Sequence, residues 1–119
     1  MIDENVEPYL KSLQGRNQAI LYGMETHVCI RQTTLDLLSM GYEVHLVVDA
    51  VSSMNHHDRN TGIEFLRDQG VAMVSFQALV FEMMRTAAHP QFKEVLNIVK
   101  QNPKEQLDLH YWKSDIAKL

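Results

Sequence analysis

One cysteine, one tryptophan, three prolines and five glycines are all that 119 positions contain of those residues. A lone Cys29 cannot close an internal disulfide, which excludes the small disulfide scaffolds and makes the reducing cytoplasm the expected compartment. So little Gly and Pro, without a period, excludes collagen-like and low-complexity chains. No apolar run reaches the ~20 residues a membrane helix needs, and no segment has the apolar core of a signal peptide, so no membrane association or export is expected. Cations are scarce as well: 11 Lys and Arg face 15 Asp and Glu, for a net charge of -4, with no basic run. Neutralising phosphates needs a concentrated cationic surplus, so a nucleic-acid partner is not expected.

Hydrophobic residues, at 45%, are abundant. A chain of this length forms one core, burying roughly two thirds of its unfolded surface. Three short runs, "QAILYG" (18 to 23), "YEVHLVVDAV" (42 to 51) and "VAMVSF" (71 to 76), are rich in β-branched and aromatic residues and read as strands. Helical patterns over 27 to 40 and 56 to 69 lie between them, each closed by a glycine, Gly41 and Gly70. Continuous apolar strands joined by such helices imply crossovers to a parallel sheet, hence an α/β fold of three layers with helices on both faces.

Three more helices are expected around this core. One runs from about Val6, capped by Asn5, with Val6, Tyr9, Leu10 and Leu13 on one face. Another begins near Ser75 and carries Leu79, Val80, Met83 and Met84, the methionines as core filling. The third starts at Pro90 and stacks Phe92, Val95, Leu96 and Val99. The domain is therefore expected over 1–100, followed by a polar tail over 101–119 in which Trp112 is the anchor candidate.

Cys29 falls just inside the helix that follows the first strand. Unpaired backbone N–H groups and the positive end of the helix dipole favour a thiolate there, and the same N–H groups could hold an oxyanion. From position alone, buried packing is the commoner fate of an unpaired cysteine, so both readings stand. His27, two residues away, does not share a helix face with Cys29. His56 and His57 are adjacent and chelate poorly, and no metal-site spacing surrounds them. Asp49, near the end of the second strand, is a candidate to orient a loop or cap a helix beside the Cys29 edge, in a supporting role.

The stretch "ILYGMETHVCIRQTTLDLLSMGYEVHLVVDAVSS", within residues 18 to 53, resembles the second half of the isochorismatase-like cysteine hydrolases: strand, Gly, Cys, "TALDL…G", strand, "DA". "HPQFKEVLNIVK" (89 to 100) is similar to the branch of isochorismatase domain-containing proteins. The resemblance covers about residues 5 to 100 and implies a Rossmann-like fold of which this is the second half, three strands with flanking helices. It implies that Cys29 is the nucleophile of a Cys-Asp-Lys triad that hydrolyses small amide, ester or vinyl-ether substrates, with no cofactor and no metal. It also implies a cis peptide between Met24 and Glu25, aiming a backbone N–H at the oxyanion alongside that of Cys29.

In the family the Asp and Lys come from earlier strands, and 28 residues precede Cys29 here. The resemblance thus implies a chain that holds the nucleophile half, is inactive alone, and turns over a small-molecule substrate when an upstream half is present. The family's strand order implies that the strand at 18 to 23 is left as an apolar edge. The alternative is a non-catalytic interaction protein that uses this edge and the Trp112 tail to form a homo-oligomer or to pair with a full-length relative. A redox-sensing thiol ranks behind both, because it needs a resolving partner from a second subunit.

Overall fold

The computed structural model describes residues 2–101, so the tail from 102 onward, with Trp112, lies outside the described residues. The elements follow in the order α1 (Val6–Ser12), β1 (Gln18–Met24), a short π-helical turn (Thr26–Ile30) that runs straight into α2 (Arg31–Ser39), β2 (Glu43–Ser52), α3 (His56–Asp68), β3 (Ala72–Val74), α4 (Phe76–Met84) and α5 (Phe92–Gln101). Two compact units meet within α4, at Leu79/Val80.

In the first unit the three strands form one parallel sheet in the order β1-β2-β3. Strand order without reversal keeps successive crossovers of one hand on one side of the sheet. Accordingly Leu37 of α2 and Ile63 and Leu66 of α3 join Ile30, Val44, Leu46, Val51 and Val71 in a single buried cluster. Leu46 and Leu66 are wholly buried, and each such side chain contributes about 2 kcal/mol of transfer free energy.

Both crossover helices end in the same way, at the glycines expected from the sequence. After α2, the Tyr42 N–H donates to the Leu37 carbonyl and the Gly41 N–H to that of Leu38, each at 3.0 Å. After α3, the Val71 N–H donates to the Leu66 carbonyl and the Gly70 N–H to that of Arg67, at 3.2 and 3.0 Å. This pairing requires a left-handed residue, and Gly41 (φ 83°) and Gly70 (φ 85°) supply it. The next strand then begins at once, with Val44 and Val71 inside the core.

The β1–β2 ladder changes register along its length. Gln18 to Leu21 pair with Glu43 to Leu46, whereas Gly23 pairs with Val51, so β2 carries three surplus residues beside Tyr22. Surplus residues leave carbonyls without ladder partners. The Arg59 guanidinium of α3 takes up one of them, the Val48 carbonyl, and also donates at 2.9 Å to the carbonyl of Val51, where the pairing resumes. Burial pulls the Arg59 pKa below its ordinary value, and the nearby Asp49 carboxylate opposes that pull.

β1 is an edge strand that alternates regularly. Ala19 and Leu21 pack against the cluster, whereas Ile20 (40% exposed), Tyr22 (70%) and Met24 (66%) face away from it. The expected apolar edge is therefore present among the described residues.

Three local expectations fail. Asn5 makes no side-chain cap at α1; the Asp3 carboxylate does that work, accepting from the Asn5 and Val6 N–H groups at 3.0 Å each. Val6 and Tyr9 are exposed, and of the expected α1 face it is Leu10 that packs against the cluster, where the Tyr42 hydroxyl donates to the Leu10 carbonyl. In the second unit Met84 is buried as expected but Met83 is 68% exposed, since adjacent residues on a helix point about 100° apart. There Phe81 and Phe92 stack obliquely, ring centroids 5.9 Å apart.

Candidate active site

The site is assembled where β1 and β2 end side by side. β1 stops at Met24, the Met24–Glu25 peptide bond is cis, and the π-helical turn follows directly. Within that turn the Glu25 carbonyl accepts from two N–H groups, Val28 at 3.2 Å and Ile30 at 3.0 Å. The Arg31 N–H donates to the Thr26 carbonyl five residues back, the wide spacing of a π turn. Cys29 sits on this turn with its thiol side exposed. The packing reading of this cysteine therefore does not describe it: the buried residues of the turn are Thr26 and Ile30.

Thr26 fastens the turn to the end of β2. It is fully buried; its hydroxyl donates to the Ser52 carbonyl at 2.8 Å and its N–H to the Ser53 hydroxyl at 3.2 Å. A second tie runs through Glu25, whose carboxylate accepts the Met54 N–H at 3.0 Å. A third is His27: its Nδ1 lies 3.0 Å from the Ser53 hydroxyl and 3.6 Å from Glu25 Oε2, and its Nε2 is 3.8 Å from Asp58 Oδ2. The imidazole is thus turned toward the 52–55 loop and α3, as expected from its offset from Cys29.

α3 closes the arrangement from the side. Asn55 caps it by accepting the Asp58 N–H at 2.9 Å, and the Asn55 amide returns a bond to the Asp58 carboxylate. One turn further along, Gly62 lies flush against the turn that carries Cys29: a Cβ there would stand 3.1 Å from His27 Cα and N.

Asp49 lies in the surplus segment of β2. Its carboxylate accepts the Phe76 N–H at 2.7 Å, tying down the start of α4, with Arg59 as its neighbouring cation. Among the described hydrogen bonds none joins Asp49 to Cys29. Among the described residues no group of three or more His, Cys, Asp and Glu is gathered as a metal would need, and no helix is long and apolar enough to cross a membrane. An open depression of about 480 Å³ lined by Leu10, Lys11, Arg16 and Tyr42 is formed by segments that precede β1 and β2, at the opposite sheet edge from Cys29. In parallel sheets ligands bind outside the carboxyl ends of the strands, which is where Cys29 lies.

Glu25 as a side chain, Ser53, Asn55, Asp58 and Gly62 were not legible as a group in the sequence. The signal that could have gathered them is the parallel pairing itself, which sets the segment after β1 beside the segment after β2.

The model of the isochorismatase domain matches residues 1–78. The chain belongs to the isochorismatase family. It is 38% identical over 105 residues to isochorismatase domain-containing protein 1 of Danio rerio, covering 88% of this chain and 37% of that protein. It is 43% identical over 94 residues to isochorismatase domain-containing protein 2A of Mus musculus, covering 76% and 46% respectively. Among solved structures, one described as a MAR1 ribonuclease from Caenorhabditis elegans superposes with a TM-score of 0.78 at 37% identity, over 90% of this chain and 55% of the other. The chain thus spans roughly a third to a half of the length of these relatives.

Proposed function

We propose that this chain carries the nucleophile half of an isochorismatase-type cysteine hydrolase acting on a small amide, ester or vinyl-ether substrate. The observation that carries the reading is an exposed cysteine on the turn that leaves the carboxyl end of β1. With an amide or ester its thiolate attacks the acyl carbon, forming a C–S bond. The resulting oxyanion is held by backbone N–H groups of the segment Met24, Glu25 and Cys29. Collapse expels the amine or alcohol, which takes up a proton, and water then cleaves the thioester to release the acid and restore the thiol. Proton transfer is assigned to an Asp and a Lys, which in the family pattern come upstream of the stretch that resembles this chain. General acid–base catalysis is typically worth ~10² to 10⁴-fold, so this chain by itself is inactive or nearly so, and a completing half is its first partner. An unpaired, exposed thiol fits a reducing cytoplasmic location.

The open β1 edge, with Ile20, Tyr22 and Met24 exposed beside it, favours a second reading: a non-catalytic protein that forms a homo-oligomer or pairs with a full-length relative through this strand. The ribonuclease designation of the C. elegans neighbour adds RNA as a substrate to be tried, against which stands the net charge of -4.

The deciding experiment assays a panel of small amides and esters, with an RNA arm, using the chain, Cys29→Ala, and each mixed with a full-length relative whose own cysteine has been replaced, alongside mass in solution. Turnover lost to background in Cys29→Ala supports the hydrolase reading. A stable oligomer with no Cys29-dependent turnover in any mixture refutes it in favour of the second.

A further inference from the structure

β1 ends the sheet on one side, and its sequence does nothing to protect that side. Its seven residues, QAILYGM, include no charge and no proline, the devices with which edge strands ordinarily resist pairing. The Asn17 carbonyl accepts the Glu43 N–H at 2.8 Å, so the backbone of Asn17 is turned to β2. Along a strand the backbone groups of successive residues point to alternate sides, so Ala19 and Leu21 follow Asn17. The N–H and C=O groups of Gln18, Ile20 and Tyr22 are therefore turned to the open side, where among the described residues no strand meets them. Ile20 and Tyr22, with Met24, also project exposed apolar side chains from the sheet face opposite the buried cluster.

The charges flanking β1 decide which way a partner strand would run. Arg16 is exposed two residues before the strand, and Glu25, one residue after it, is partly exposed. Glu43, which accepts from the Gln18 amide at 2.9 Å, stands one strand further in. An antiparallel second copy sets the Arg16 end of each strand beside the Glu25 end of the other, whereas a parallel copy sets like charges together. A two-fold axis perpendicular to the sheet gives this arrangement and keeps the two exposed apolar faces on the same side. Centred on Leu21, the middle residue of β1, it uses the whole strand. Ile20 then lies directly opposite the partner's Tyr22, with open backbone groups facing open backbone groups, and symmetry repeats this β-branched–aromatic pair.

We propose that the β1 edge is a self-complementary interface on which a second copy of this chain docks antiparallel, about a two-fold axis at Leu21, joining two three-stranded sheets into one. The inference rests on the second reading above, association through β1, and gives it a partner and a register. A contact of seven residues a side is small beside the roughly 1,600 Å² of a standard interface, so the dimer forms and dissociates with concentration.

Sedimentation of the 119-residue chain over a concentration series is expected to show a monomer–dimer equilibrium. Ile20→Lys is expected to weaken it at least about tenfold, since symmetry removes both Ile20–Tyr22 pairs and puts a cation on each edge. Arg16→Glu, outside the strand, is expected to weaken it as well, and keeps the test valid if circular dichroism finds Ile20→Lys unfolded. The register is read by disulfide trapping in a Cys29→Ala background. Ile20→Cys mixed with Tyr22→Cys is expected to cross-link faster than either alone, because directly opposite residues of an antiparallel pair have Cα atoms about 4.5–5.5 Å apart. Either variant cross-linking with itself as fast as in the mixture overturns the Leu21 register and leaves association through β1 standing. Dimerisation unchanged in both Ile20→Lys and Arg16→Glu, or a chain that stays monomeric until a full-length relative is added, overturns the proposal outright. Cys29-dependent turnover by the dimer refutes the non-catalytic reading and leaves the interface standing.

Discussion

Replacing Gly62 by alanine asks whether the turn that carries Cys29 rests backbone to backbone on α3. A Cβ at position 62 would come within 3.1 Å of His27 Cα and N and 3.2 Å of Thr26 C. None of these atoms belongs to a side chain that can swing aside, so the turn or the helix has to move by a few tenths of an ångström. Two terms then oppose each other. Alanine is favoured over glycine inside a helix by about 0.8–1 kcal/mol. Forcing one extra carbon into a close-packed contact costs about 1–3 kcal/mol. Because the obstacle is backbone on the far side, itself tied to β2 through the buried Thr26, relaxation is limited and the steric term is about 2 kcal/mol. The net expectation is a loss of about 1 kcal/mol.

Urea unfolding followed by circular dichroism reads this directly, as a lower midpoint with an unchanged slope. In a thermal melt the same loss corresponds to a fall of about 4 °C. The accompanying local signature is weaker amide protection at Thr26, whose N–H bond to Ser53 spans the displaced interface. Gly62→Val adds bulk and loses helix propensity, and is expected to cost more than alanine. An alanine variant as stable as the wild type, or more so, would refute the contact on which this reasoning depends.

Arg59→Met is expected to destabilise by about 2–3 kcal/mol, because it strips the donors from the Val48 and Val51 carbonyls in and beside the surplus segment of β2; denaturant titration checks it, and a change under about 0.5 kcal/mol would mean that water serves those carbonyls equally well. The Asp3 carboxyl is held below its ordinary 3.8 by the Val6 N–H and then by that of Asn5. Its folded pKa is depressed, so its contribution to the start of α1 is present above the unfolded value and lost as pH falls through the folded one; a carboxyl carbon NMR titration midpoint at or above 3.8 would refute the cap.

The strand–helix alternation was legible because each signal has a local cause. Gly41 and Gly70 mark helix ends since only a left-handed residue lets the chain double back into a strand that starts apolar. The three surplus residues of β2 were not legible, because hydrophobic alternation within one strand says nothing about how many residues its neighbour sets against it. Arg59 was missed for the same reason: its partners are carbonyls exposed by that mismatch, and carbonyls have no sequence signature. The first turn of α1 was misassigned because Asn5 and Asp3 are both competent caps, and which one reaches the free N–H groups depends on how the chain enters the helix.

Cys29 could be singled out from its motif, but the residues that hold its turn could not, since none of them forms a recognisable spacing with it. They follow from topology instead. In a parallel pair the offset between facing residues persists past the strand ends, and the offset at the carboxyl end of β1 and β2 is the one that pairs Gly23 with Val51 and Met24 with Ser52. Carried one step beyond the ladder, it sets Glu25, Thr26 and His27 against Ser53 and Met54, which is where the bonds are found. Without the three surplus residues the same turn would face Ala50 and Val51, which offer neither a hydroxyl nor a loop. The irregularity that Arg59 stabilises in mid-sheet is therefore what brings Ser53 under the turn that carries Cys29, and loss of Arg59 should loosen the His27 contacts as well as the sheet.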